Sequence, residues 1–310
     1  MRAPIQSFAM ALGSAAPVDT WRVDLAVPID AAEAVSELLG DLGSVSMFGV
    51  DQDADLQVSV VCPEEPDRGD IGVRLAVIAD AFDMAEPPFT VERVEGRDWI
   101  AETKNAFPPV EIGRFFIHGS HVERRPPPSS IGLHVDAATA FGSGEHPTTE
   151  GCLRAIEALA KRRHIHNTLD MGCGSGILAI AAAKCWATPV LAADNDGRSV
   201  QVAAENAGLN RVAHLMSAAR SEGYRNPVIR RRAPYDLILA NILARPLTLL
   251  ARDAAGVLAP GGILVLSGLM THQEAMVLAA HRYQGLHLIE RRVIGVWSTL
   301  VLHKRADYGS

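Results

Sequence analysis

The chain is poor in cysteine and in excess positive charge, and it holds no long apolar run. It carries four cysteines, Cys62, Cys152, Cys173 and Cys185, and no two of them form a C-x-x-C unit. That spacing argues against a zinc site or a disulfide scaffold and fits a reducing compartment. Lys and Arg number 29 against 36 Asp and Glu, a formal net charge of -7. A general nucleic-acid binder needs a basic surface to neutralise phosphates, so this balance speaks against one, while an acidic surface tolerates basic partners. No stretch reaches the roughly 18 apolar residues of a membrane span. The opening MRAPIQSFAMALGSAAPV has no sustained apolar core behind its charged start and reads as a loose tail, not a signal peptide. The expected location is the cytoplasm.

What is present is ordinary for a globular protein. With 48% hydrophobic and 21% charged residues the chain cannot be mainly disordered, and 310 residues suggest two domains. The first hundred residues alternate as βαββαβ. Trp21 to Val27 reads as a strand with Trp21, Val23, Leu25 and Val27 on one face. Asp30 is placed to cap a helix through Leu39 that stops near Gly40. Strands follow at Ser44–Val50 and Leu56–Val61, then a helix from Gly69 to Asp83 and a strand from Phe89 to Val94. This order is the ferredoxin-like arrangement, which by itself carries no chemistry.

A connector is expected over residues 96–130. RDWIAETKNAF reads as a short helix, PPVEIGRFFIHGS as a strand, and the prolines of ERRPPPSS as a stiff loop. From residue 131 onward, strands at Thr168–Met171, Pro189–Asp194, Tyr235–Ala240 and Gly262–Ser267 alternate with helices. That alternation predicts a mostly parallel sheet with helices on both faces. Leu286–Ile294 and Val296–His303 close the chain as an antiparallel hairpin about Gly295.

Four segments carry chemistry. LDMGCGSGIL places Gly172, Gly174 and Gly176 between a strand and a helix, where glycines permit a tight turn and close backbone approach. Ile177 stands where a G-x-G-x-x-G loop has its last glycine, so a dinucleotide pyrophosphate is not the expected ligand. VLAADND ends the next strand on Asp194, placed to accept hydrogen bonds from ribose hydroxyls, while Asp196 is placed to cap the following helix. DLILANILARPL ends its strand on Asn241, a donor and acceptor at the sheet edge where ligands bind. The other reading of Asn241 is a strand terminator. AFGSGEHPTTEG puts His146, Thr148 and Thr149 before a helix, where the hydroxyls could cap that helix or meet a ligand. Cys173 reads as a small packing residue, His164 and His166 as a solvated pair, and Arg230–Arg232 as a solvated loop.

Together these segments resemble the seven-stranded S-adenosylmethionine-dependent methyltransferases. FGSGEHPTT before LDMGCGSGILAIAA, with LILANILARPL after it, resembles more narrowly the methyltransferases of large-subunit ribosomal protein L-eleven. The similarity runs from about Trp99 to Lys304. It implies methyl transfer from S-adenosylmethionine to lysine side-chain amines, and in some members the N-terminal amine, of that ribosomal protein, free or on the ribosome. It implies a protein-substrate role for the N-terminal domain, residues 1–95, and cofactor binding by residues 131–310, with no membrane or metal and no required RNA contact. The implied cofactor contacts are Thr149, Gly172, Gly174, Asp194 and Asn241, with Asn241 also positioning the acceptor amine; no residue is named as general base. The alternative substrate is another protein or a small-molecule amine. A planar amide substrate is disfavoured, because Asn241 is followed by Ile242-Leu243-Ala244 and not by the Pro-Pro-Tyr of glutamine and adenine methyltransferases.

Overall fold

A computed structural model describes residues 19–48, 55–94, 108–120, 122, 124, 126–135 and 147–305. The tail, the Phe141–His146 loop and the RDWIAETKNAF helix of the sequence reading lie outside the described residues.

The N-terminal elements are β1 (Thr20–Val27), α1 (Ile29–Leu39), β2 (Ser44–Phe48), β3 (Leu56–Cys62), α2 (Arg68–Ala81) and β4 (Phe89–Val94). They form an antiparallel sheet of order β2-β3-β1-β4. Alternation in β1 sends Val23, Leu25 and Val27 inward against Val35 and Leu39 of α1 and Ile71 and Leu75 of α2. Asp30 does not cap α1. The helix begins two residues earlier, after Pro28, which offers no side-chain hydrogen bond, and Asp30 falls in the first turn. Asp67 caps α2 by accepting from the amides of Gly69 and Asp70.

The stretch read as a connector contributes β5 (Val110–Ile112) and β6 (Phe115–His118), which join β7 (Ile131–His134) in a small sheet. Ile112, Phe115 and Ile117 are buried in the core of the larger body that follows, so these residues pack as part of it.

The larger body comprises α3 (Pro147–Ala160), β8 (Thr168–Met171), α4 (Ile177–Trp186), β9 (Val190–Asp194), α5 (Gly197–Leu209), β10 (Met216–Arg220), α6 (Pro227–Arg232), β11 (Tyr235–Asn241), α7 (Ala244–Val257), β12 (Leu258–Met270), α8 (Glu274–Tyr283), β13 (Leu286–Ile294) and β14 (Trp297–Lys304). The sheet order is β10-β9-β8-β11-β12-β14-β13, parallel through β12 and antiparallel at β14 and β13. One sheet face packs against α3, α4 and α5 and the other against α6, α7 and α8. The run Arg230–Arg232 is the last turn of α6, not a loop; Asn226 caps this helix and Pro227 begins it.

Candidate active site

Strand order reverses about β8, so the carboxyl ends of β8, β9 and β11 open a crevice at the point where open α/β sheets bind ligands. Gly172, Gly174 and Gly176 turn there with φ of 69°, 49° and 78°. A Cβ on Gly172 would lie 2.2 Å from Ile242 Cγ2, so glycine is needed for space as well as for backbone angle.

The loop's amides are spent inside the protein. Gly172 and Cys173 donate to the Ala193 carbonyl at 2.8 and 3.1 Å, and Gly176 donates to the Cys173 carbonyl at 2.7 Å. The Gly174 amide donates to Asp194 Oδ2 at 2.9 Å. A pyrophosphate needs free amides, and these four are engaged. The loop instead presents a close-packed shelf to a ligand without phosphate.

Asp194 ends β9 and is 9% exposed. Its second oxygen accepts the Asp196 amide at 3.0 Å, so two backbone donors fix the carboxylate at the crevice. Asp196 caps α5 by accepting from Arg198 and Ser199. Thr149 lies in the first turn of α3, 1% exposed. Asn241 ends β11 half-buried, opposite Ser267 of β12.

These residues meet in one cavity of about 870 Å³, lined by Thr149, Gly172, Gly174, Asp194 and Asn241. Such a volume suits a ligand of cofactor size. The cavity also reaches residues the sequence reading did not select: Ser36, Glu37, Gly43 and Met47 from the N-terminal sheet and α1, and Ile242, Leu243, Gly268 and Trp297 from the larger body. Gly268, inside β12, carried a signal: glycine within a strand often marks close backbone approach. A Cβ there would lie 2.4 Å from the Ile242 carbonyl oxygen.

Asp170, beneath the loop, was also not selected. It is 1% exposed; Oδ2 accepts the Ala179 amide at 2.9 Å, and Oδ1 has no partner among the described residues. Burial pushes its carboxyl up to about 7. Cys173 is buried, and burial raises its thiol well above the ordinary range, which makes it an inert packing residue. His164 and His166 are exposed, their rings edge to face.

A model of the family described as ribosomal protein L11 methyltransferase (PrmA) matches residues 19–305. The chain belongs to the ribosomal protein L11 methyltransferase family. A protein of that name from Rhodopseudomonas palustris is 42% identical over 278 residues, covering 88% of this chain and 94% of that one. One from Bradyrhizobium diazoefficiens is 42% identical over 252 residues, covering 81% and 85%. The crystal structure of a ribosomal protein L11 methylase from Lactobacillus delbrueckii subsp. bulgaricus aligns with a TM-score of 0.59 at 27% identity, covering 64% of this chain and all of that one.

The protein is a methyltransferase, and its methyl donor is S-adenosylmethionine. The crevice fits that group: loop amides engaged within the protein, a carboxylate fixed at the end of β9, and glycines packed too closely for a Cβ. No helix among the described residues is long and apolar enough to cross a membrane.

Proposed function

We propose that this protein transfers methyl groups from S-adenosylmethionine to lysine side-chain amines, and to the N-terminal amine, of large-subunit ribosomal protein L11. The carrying observation is one cavity lined by Asp194, the glycine loop and Asn241 together with residues of the N-terminal body. A donor site alone would need only the larger body. Here β2 and α1 supply part of the wall, as suits a macromolecular acceptor presented from outside.

The bound sulfonium supplies an activated methyl carbon, so the protein's task is mostly positioning. Asp194 accepts the ribose hydroxyls. Thr149, Gly172 and Gly174 line the donor end. Asn241 Oδ1 accepts a hydrogen bond from the incoming amine and fixes its direction of approach. Ile242, Leu243 and Trp297 make the adjoining wall apolar, which suits the methylene stem of lysine and favours the neutral amine over the ammonium. The amine must arrive deprotonated.

We assign residues before about 95 to recognition of the protein substrate and the larger body to the donor. Binding energy at the N-terminal sheet then positions the amine far from those contacts. The reading extends to L11 either free or on the ribosome, and to a cytoplasmic enzyme that needs no RNA contact. Incubating the protein with methyl-labelled S-adenosylmethionine and separated ribosomal proteins tests it. Label on lysines of L11 is expected. Label confined to another protein or a small amine would overturn the substrate assignment.

A further inference from the structure

Helix α7 begins immediately after the acceptor-side loop Asn241–Leu243, and its own sequence leaves its amino end poorly satisfied. Leu243, at the cap position, offers no side-chain hydrogen bond. Pro246 has no N–H to contribute. The Leu247 amide is satisfied by the Leu243 carbonyl at 3.1 Å. The amides of Ala244 and Arg245 therefore need acceptors from elsewhere.

One comes from the other body. Glu33 of α1, more than 200 residues away in sequence, accepts the Arg245 amide through Oε1 at 3.3 Å. Its Oε2 accepts from Gln273 Nε2, and Gln273 Oε1 in turn accepts the Met270 amide at 2.8 Å. Glu33 is half-buried in this arrangement. A carboxylate at a helix amino terminus is also favoured by the helix dipole. Nearby, Arg245 Nη1 contacts both oxygens of Glu37 at 3.0 and 3.1 Å. That pair is about two-thirds exposed on each side and adds little by itself. Apolar packing runs alongside: Met270, Val296 and Trp297 share one buried cluster with Val35 and Leu39, and Leu243 packs against it.

We propose that Glu33 is a positioning residue for methyl transfer: it caps α7 across the boundary between the two bodies and so holds the Asn241–Leu243 loop in its acceptor-side geometry. Docking of the N-terminal body then completes the catalytic loop as well as presenting substrate. The donor end needs no such help, because its loop is held by hydrogen bonds within the larger body. This inference rests on the reading of the cavity's Asn241 end as the acceptor site.

The test compares the full-length chain with Glu33→Ala and Glu33→Gln. Gln keeps one acceptor oxygen for the Arg245 amide, so it is the conservative rescue. Amide hydrogen exchange is measured first, because it needs no substrate. Glu33→Ala should speed exchange at residues 242–247 at least tenfold while leaving 172–178 unchanged, and Glu33→Gln should restore most of the protection. Kinetics follow with labelled S-adenosylmethionine and L11. Glu33→Ala should lower kcat about tenfold with KM for the donor within twofold, and Gln should recover most of it. Unchanged exchange at 242–247 overturns the capping role, whatever the substrate proves to be. Faster exchange with native kcat, or a loss seen only in KM for L11, overturns the positioning role. If the native chain labels no L11, the proposed function falls, and the exchange arm alone still decides whether Glu33 holds the loop.

Discussion

In the proposed function the cavity has a donor side and an acceptor side, and the two are built on different plans. The donor end is a backbone structure: three glycines, amides turned inward, and one carboxylate locked by the amides of Gly174 and Asp196, all within about 25 residues. The acceptor end is assembled from side chains of β11 and β14 of the larger body and of β2 and α1 of the N-terminal body, which meet where the two bodies pack. A backbone wall tolerates almost no substitution but needs no partner. A side-chain wall tolerates more and depends on every element that meets there. Donor binding and methyl transfer should therefore respond to different mutations.

The largest effect should come from crowding the glycine loop against Ile242. Gly172→Ala combines a φ of 69° with a Cβ 2.2 Å from Ile242 Cγ2. Overpacking of this kind costs about 1–3 kcal/mol, and the displaced Ile242 lies where the two walls touch. Affinity for S-adenosylmethionine by calorimetry should fall by about a hundredfold or more, and Tm should fall with it. Gly208→Ala in α5, with nothing within 4 Å, is the control that should leave both unchanged or slightly raise Tm. If Gly172→Ala binds normally, the shelf is not the donor site.

Asp194→Ala should rank next. Loss of a charged hydrogen bond contributes roughly 1.5–3 kcal/mol, or about one to two decades in donor affinity. The sequence alone suggests little harm to the fold. The structure adds a cost, because the same carboxylate holds the amides of Gly174 and Asp196. Tm should fall measurably alongside affinity. Normal calorimetric binding would return Asp194 to a purely structural role.

Asn241→Ala probes the other end. It should lower turnover about tenfold or more with donor affinity within a few-fold of native and Tm nearly unchanged, since the half-buried side chain sits at the end of β11 and not in the core. Equal loss of donor affinity and turnover would show that the two ends are not separable.

The same division explains what could be read from the sequence. The donor end was legible because its parts are local: a strand, a glycine turn and a helix, then an acid at the next strand's end. The apolar alternation of β1 fixes its faces, and the mostly apolar β9 and β11 are legible as strands covered on both sides, for the same reason. Edge strand β10 was missed because MSAAR has one large apolar residue, and only Met216 is buried. The helix at Arg230–Arg232 was missed because charge masked a six-residue helix whose only buried residue is Ile229. The acceptor wall was illegible beyond Asn241. Nothing in IDAAEAVSELL distinguishes Glu33 or Glu37 from any solvated helix face until α1 is laid against α7.

The most condition-dependent effect, absent at low pH, concerns Asp170, at the foot of the glycine loop. Its folded-state carboxyl is raised from 3.8 to about 7, chiefly by burial, with the Asp194 charge adding to the rise. A raised value means that the protonated form is favoured in the fold. The stability it lends is fully present below about pH 4 and is lost as pH rises through 7. Asp170→Asn removes that titration while keeping a carbonyl oxygen for the Ala179 amide. Urea denaturation at several pH values should therefore show the variant gaining on the native chain from pH 4 to pH 8, by up to a few kcal/mol, and levelling off above that. A difference between the two chains that does not change with pH would mean that Asp170 is ionised throughout. Its unpartnered oxygen would then have to be satisfied by water, and the donor wall would be less dry than its packing implies.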